Sequence, residues 1–289
     1  MPEIVTQCPL CGSDHSRIFD KRQVHGQPVA NRLCLACGLT YQSPRMTEAE
    51  AAAFYEAEYR QLYQGGEGPN AKDLAVQRAR AEALAGFART QIRPIARHLD
   101  IGCSAGLLLQ KFQQDYGCQP VGVEPGNAYR AHARKQGLAV YASLDELRRK
   151  DEACFDLISM AHVLEHLPDP VGYLRSLREN LLAENGWLLI EVPNLYAHDS
   201  FEIAHLVSYS AHTLSQTLRK AGYEIVKLER HGRPRSDIIP YYLTILARPH
   251  PATFNLKPET GVMFKRKLGL LRRRILARLF PRRAWIPLS

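Results

Sequence analysis

The sequence predicts an α/β fold, a mostly parallel sheet interleaved with helices and preceded by a small cysteine-built module. Three observations carry this. Residues Arg97 to Pro125 read as strand, glycine turn, helix and second strand: an apolar run closing on Asp100, a turn from Gly102 to Gly106, a periodic stretch from Leu107 to Tyr116, and Val121 to Val123 closing on Glu124. The same alternation of short apolar runs and helical periodicity continues to Arg248-Pro249. Ahead of it stand two matching knuckles, Cys8-Pro-Leu-Cys11-Gly and Cys34-Leu-Ala-Cys37-Gly.

A chain of 289 residues suits one full α/β domain plus a small module. No apolar run approaches the ~18 residues of a membrane span. The start, Met1 to Cys8, lacks a basic stretch followed by an apolar core, so a cytoplasmic location is expected. The net charge of +9 is concentrated: from Met263 to Ser289 there are nine Lys/Arg and no acid, which leaves 29 basic and 29 acidic residues in the rest. Basicity therefore belongs to the tail, which argues against a catalytic face built to track a nucleic-acid backbone.

Each C-x-x-C-G knuckle presents two thiolates to one ion, and two knuckles make a tetrahedral site. The spacer from Gly12 to Leu33 suits a hairpin turning near His25-Gly26, giving a zinc ribbon over 1–46. Four thiolates leave no open position, so Cys8, Cys11, Cys34 and Cys37 read as a structural rather than catalytic Zn2+ site; paired disulfides are the alternative, disfavoured in a cytosolic chain. Cys103, Cys118 and Cys154 lack metal spacing and read as small core residues. The segment 47–94 reads as a helical lead-in: Thr47-x-x-Glu50 opens a helix to about Tyr63, Gly65 to Pro69 forms a hinge, and a second helix covers about Ala71 to Thr90.

The turn after Asp100 decides between two cofactor classes. A dinucleotide site needs G-x-G-x-x-G, so that backbone can approach a pyrophosphate. Here the spacing is Gly102-x-x-x-Gly106 with Ser104 between, and Asp100 would repel a phosphate. S-adenosylmethionine carries a sulfonium, an ammonium and a ribose diol. Asp100 at the first strand end suits the cationic part, and Glu124 at the second suits the ribose hydroxyls. The competing reading is a plain strand–helix–strand turn with two solvated acids.

The strings D-I-G-C-S-A-G, V-G-V-E-P and F-D-L-I-S-M-A-H-V-L-E-H-L-P-D-P, in this order, resemble the motifs of class I S-adenosylmethionine-dependent methyltransferases over about Arg97 to Arg248. The resemblance implies a Rossmann-like seven-stranded sheet with its last strand antiparallel, a catalytic domain over 95–249, and cofactor contacts at Gly102, Ser104, Gly106 and Glu124. It implies a polar residue against the adenine, where Ser143 stands. It implies that Ala161 and His162 leave the fourth strand where the transferred methyl points, and that an aromatic segment ahead of the sheet covers the cofactor, for which Tyr55 and Tyr59 are the candidates.

The remaining elements follow in order. A helix spans Asn127 to Gln136, a short strand Ala139 to Ala142, and Ser143-x-x-Glu146 caps the next helix. Cys154 to Met160 is a strand. His162, Glu165 and His166 then share a helical face. Their string also fits the H-x-x-E-H zinc-protease pattern, which its place after a strand in this motif series assigns to chance. His162 and His166 are candidate bases; bracing of the strand end by Glu165 and His166 is the alternative. An amphipathic helix, Pro168 to Leu182, is followed by a turn at Glu184-Asn-Gly186 and a strand from Trp187 to Val192. Leu195 to Ser210 reads as a polar insertion. Its H-L-V-S-Y resembles the H-L-x-x-F-S of methyltransferases from bacterial glycan clusters, making His205 a further base candidate. A helix closed by Gly222 and strands Tyr223 to Leu228 and Tyr241 to Ala247 complete the domain.

The basic tail, 250–289, carries Phe264, Leu268, Leu271, Ile275 and Leu279 on one helical face, flanked by Lys and Arg over residues 263–285. It suits an anionic membrane surface at the inner face of the membrane, docking of the apolar row on the domain itself, or RNA.

A zinc ribbon fused to such a domain resembles the methyltransferases of sugar-nucleotide and polysaccharide biosynthesis. The expected reaction is methyl transfer to a hydroxyl of a saccharide or lipid-linked glycan; C-methylation is not expected, since some sugar C-methyltransferases carry a further C-terminal domain for which this sequence stops too early. The alternatives are an rRNA/tRNA methyltransferase that holds RNA with ribbon and tail, and a membrane-recruited binding module on an inactive fold.

Overall fold

The structure is a computed structural model describing residues 2–47, 50, 68–92, 94–151, 153–199, 201–251 and 255–288. The cysteine module forms β1 (Ser16–Val24), β2 (Gln27–Cys34) and β3 (Thr40–Gln42). In β2, alternation buries Val29, Asn31 and Leu33 on one face. β1 and β2 pair antiparallel around the His25-Gly26 turn, and β3 pairs with β2. The aromatic residues Tyr55 and Tyr59 lie outside the described residues.

α1 (Ala71–Ala88) opens on a reciprocal cap between Asn70 and Asp73. Then come β4 (Arg97–Ile101), α2 (Leu107–Tyr116), β5 (Gln119–Val123), α3 (Asn127–Lys135), β6 (Ala139–Tyr141), α4 (Leu144–Lys150) and β7 (Phe155–Ala161). A single 3-10 turn (Leu164–His166) leads to α5 (Pro170–Asn180), which starts where the Asp169 side chain accepts from Gly172 N and Pro170 sets the first turn. β8 (Leu182–Pro193), β9 (Val207–Ser208), α6 (Ala211–Lys220), β10 (Tyr223–His231), β11 (Tyr242–Pro249), α7 (Val262–Leu279) and α8 (Pro281–Ala284) complete the chain.

The large sheet has seven strands in the order β10-β11-β8-β7-β4-β5-β6. β6, β5, β4, β7 and β8 run parallel, and β11 is antiparallel to both its neighbours. The central strands are near-continuous apolar runs because both faces are covered; Leu99, Ile158, Leu188, Ile190 and Ile245 are fully buried. The expected seven-stranded α/β sheet with an antiparallel last strand is the observed one.

Three details differ from the sequence reading. Cys154 is exposed rather than a core residue, because it precedes β7 instead of opening it; Cys103 and Cys118 are buried as expected. β8 begins at Leu182, so Glu184, Asn185 and Gly186 lie inside a strand and not in a turn. They are nonetheless unpaired with β7, whose register jumps from Phe155↔Leu182 to Leu157↔Trp187, so they bulge from the ladder and keep their turn chemistry. The Leu195-to-Ser210 segment is not a polar surface insertion: Phe201, Ile203, Ala204, Leu206 and Val207 are buried. Its β9 pairs with β3, so the cysteine-bearing sheet is completed by a strand from the catalytic half of the chain.

Candidate functional site

The glycine turn sits where β4 meets α2. Gly102 and Gly106 have φ of +73° and +82°. A Cβ on Gly102 would lie 2.5 Å from Val163 Cγ2, and one on Gly106 would collide with Leu138 Cδ1. Ser104 also has positive φ, +51°. The turn is held by Gly102 N donating to Val123 O (2.8 Å) and Ala105 N donating to Gln77 Oε1 of α1 (3.1 Å). Glu124, only 3% exposed, accepts from Ser104 N at 2.9 Å and Gly126 N at 2.8 Å. It therefore clamps the turn to the end of β5.

Asp100 faces Ser159 across the β4–β7 register. Ser159 Oγ donates to Asp100 Oδ1 at 2.6 Å, and His98 Nε2 lies 2.7 Å from Ser159 Oγ. Since Ser159 gives its proton to the acid, its oxygen accepts from His98 Nε2–H. Burial pushes His98 down to about 3, so the ring is neutral. Burial pushes the Asp100 carboxyl up to about 7; the Ser159 hydrogen bond opposes this and the Glu124 charge adds to it.

These residues line a cavity of about 780 Å³. Asp100, Gly102, Ser104, Glu124, Ser143, Ala161, His162 and His166 all reach it, with Gln77 and Arg80 from α1 and Arg235 from the loop between β10 and β11. Ser143 also caps α4, its Oγ accepting from Glu146 N at 3.1 Å. His205 is 8% exposed and packs its ring against His166 at 4.8 Å rather than lining the cavity.

At the far end of the cavity a buried ionic network forms around Glu191, which is fully buried in β8. Its Oε1 lies 2.8 Å from Arg80 Nε and 3.2 Å from His162 Nε2, and its Oε2 lies 3.4 Å from His231 Nε2. Burial favours the neutral acid, yet the Arg80 charge and the histidines win and lower its pKa. His162 has φ +58°, and its Nδ1 is 3.3 Å from Glu165 Oε1. Burial and Arg80 oppose a charge on its ring, but the Glu165 and Glu191 carboxylates prevail and raise its pKa. Glu165 is held down to about 2: burial alone would raise it, and His162 with its neighbouring histidines reverses the sign. Burial drives His166 down to about 4.

Arg80, Gln77, Ser159 and Glu191 escaped the sequence reading. Glu191 had left a signal, a lone acid inside the apolar run Leu188 to Val192. Arg80 had left none, because its place depends on where α1 lies.

The four knuckle cysteines converge, with their sulfurs all within 4.8 Å of one another. Cys8–Cys37 and Cys11–Cys34 are 3.6 and 3.5 Å apart. Disulfides would need ~2.05 Å. A tetrahedron with bonds of ~2.3 Å has edges of about 3.8 Å, close to what is seen.

The sheet order, the glycine turn and two acids at neighbouring strand ends define an S-adenosylmethionine-dependent methyltransferase. The chain matches the methyltransferase domain family over residues 72–228, more than half its length, and belongs to that family. It is 30% identical over 140 residues to a ubiquinone biosynthesis O-methyltransferase from Histophilus somni, covering 45% of this chain and 56% of that protein. A Haemophilus ducreyi protein of the same name is 29% identical over 140 residues, covering 45% and 57%. The chain thus spans little more than half the length of these curated relatives. Among solved structures it resembles the Burkholderia thailandensis 1,6-didemethyltoxoflavin-N1-methyltransferase with bound 1,6-didemethyltoxoflavin and S-adenosylhomocysteine, at TM-score 0.55 and 21% identity over 80% of this chain and 99% of that one. It also resembles the PH0226 protein of Pyrococcus horikoshii, at TM-score 0.51 and 16% identity over 66% and 98%.

Proposed function

We propose that this enzyme methylates a hydroxyl of a saccharide or lipid-linked glycan. The observation that carries the reading is the polar wall of the cavity, to which three separate parts of the chain contribute Arg80, His162 with His166, and Arg235. Such a wall suits a polar acceptor, and its two arginines suit the diphosphate of an activated or lipid-linked sugar. The O-methyltransferase name of the relatives supports oxygen as the receiving atom.

S-adenosylmethionine supplies the methyl group on a sulfonium. The residues fit it: Asp100 would meet the cationic methionine part and Glu124 the ribose, with Gly102 and Ser104 on the cavity wall beside them, while Gly106 keeps the turn tight behind that wall, against Leu138. Ser143 would meet the adenine, and Ala161 would lie near the acceptor. The enzyme contributes alignment first and proton removal second. His162 reaches the cavity with a carboxylate beside each ring nitrogen, Glu165 at Nδ1 and Glu191 at Nε2, and would take the hydroxyl proton in its neutral form. His166 and His205 stand behind it.

Incubation with labelled S-adenosylmethionine and a panel of nucleotide sugars, lipid-linked glycans, quinols and ribosomal or transfer RNA tests this. Label should enter the glycans. Transfer confined to RNA or to quinols would replace the reading.

Cys8, Cys11, Cys34 and Cys37 would hold a structural Zn2+, as their sulfur spacing supports. The tail would bind an anionic membrane at the inner face. α7 docks through Val262, Gly269 and Leu276 together with two of its arginines: Arg266, 6% exposed, hydrogen-bonds Leu195 O and pairs with Asp199, and Arg273 donates to Ala197 O at 3.3 Å, while its other Lys and Arg are exposed. The apolar row faces outward, from Ile275 at 48% exposed to Phe264 at 71%. No described helix is long and apolar enough to cross a membrane. An exposed apolar stripe rimmed by arginines matches a surface-lying helix. Burying one leucine contributes about 1.5–3 kcal/mol. The Leu268→Glu, Leu271→Glu double variant should therefore lose more than tenfold in binding to anionic vesicles by sedimentation. Wild-type protein that ignores such vesicles would refute this.

A further inference from the structure

We propose that Glu165, His166 and His205 form a second metal site, a two-histidine, one-carboxylate set for a divalent transition ion beside the acceptor end of the cavity. Candidate ligand atoms of these three residues lie within 4.8 Å of one another. Glu165 and His166 come from the 3-10 turn after β7. His205 comes from the buried segment leading into β9. Only the fold brings them together.

Two further observations point to an ion. Glu165 is 1% exposed and neither of its carboxylate oxygens makes a hydrogen bond. The nearest paired group is His162, with Nδ1 at 3.3 Å from Oε1. A buried carboxylate is costly unless a cation or hydrogen bonds compensate it. His166 Nδ1 lies 2.9 Å from Ala204 O. A carbonyl only accepts, so the proton is on Nδ1 and the lone pair on Nε2. This is how metal-binding histidines are commonly oriented, by a backbone carbonyl on the far nitrogen. The Glu202 carboxylate, 3.9 Å from His205 Nε2, adds negative charge to the cluster.

Imidazole ligands select zinc, iron or other transition ions over Mg2+ and Ca2+. Three protein ligands leave positions open on the ion. His166 lines the cavity, so the cluster borders the acceptor space. An ion there holds the acceptor oxygen and favours its ionised form. That consequence rests on the hydroxyl-transfer reading; occupancy of the site does not. The H-x-x-E-H string thus acts through its last two residues and a distant histidine, not as a protease motif.

Metal content after equilibrium dialysis of the full chain against Zn2+, or against Co2+ in the zinc-loaded protein, tests the proposal. Wild type should retain two equivalents. Glu165→Gln and His205→Ala should each lose one, with metal affinity down more than tenfold, while calorimetry shows S-adenosylmethionine still bound and the protein therefore folded. Cys8→Ser should lose the other equivalent. One equivalent in wild type, or two unaffected by Glu165→Gln and His205→Ala, would overturn the site. Both results are independent of which acceptor is methylated.

Discussion

Asp100→Asn should abolish useful binding of S-adenosylmethionine and leave the protein folded. The side chain is 3% exposed at the end of β4, and the amide keeps an oxygen to accept from Ser159. What disappears is the charge proposed to meet the sulfonium and ammonium of the donor. Breaking a buried ion pair by removing one partner costs about 3–5 kcal/mol, so affinity should fall by at least two orders of magnitude. Calorimetry reads this directly, and an unchanged Kd would remove Asp100 from the donor pocket.

The same carboxyl should make binding pH-dependent. Its pKa in the folded protein is pushed up to about 7, against about 3.9 for an ordinary Asp. Between these values the folded, unliganded protein keeps a proton that the unfolded chain has released. The unliganded fold is therefore best supported below about pH 4 and loses that support as pH rises through about 7. Binding runs the other way. A cationic donor favours the ionised acid, so binding below pH 7 releases a proton, and affinity rises from pH 6 to pH 8 before levelling. Asp100→Asn should flatten this profile and be no less stable than wild type at pH 8.

Replacing Cys8 and Cys34 together by Ser should release one zinc per chain and unfold the N-terminal sheet. Apparent zinc binding of about 10–16 kcal/mol in small four-ligand modules rivals the whole stability of a domain. The consequence should not stop at the module. β3 pairs with β9, Gln42 N donates to Leu206 O at 2.8 Å, and Glu259 N donates to Cys37 O at 3.0 Å. Losing the cluster should loosen the segment carrying His205 and the lead-in to α7. Methyl transfer should fall more than tenfold while donor affinity changes less, because β4 and β5 belong to the large sheet and pair with no strand of the small one. Metal analysis with amide exchange over 2–46 decides it. A wild-type protein that purifies without zinc yet protects those amides would contradict the prediction.

The glycine turn, its two acids and the paired cysteine knuckles were legible because each is chemistry within a few residues. A turn that only glycine can make and an acid closing an apolar run impose their geometry wherever the chain goes. That was enough to determine the sheet, the donor class and a four-sulfur cluster. What the tertiary structure alone decided depends on segments far apart in the chain. Arg80 meets Glu191, which His162 also reaches, because α1 packs on the face of the sheet formed by β7, β8 and β11. His205 meets Glu165 and His166 because β9 leaves the large sheet to finish the small one. The tail turns Arg266 and Arg273 inward because carbonyls at Leu195 and Ala197 and the Asp199 carboxylate are there to receive them. Local pattern carries no record of such partners; burial and long-range strand pairing choose them once the chain has collapsed.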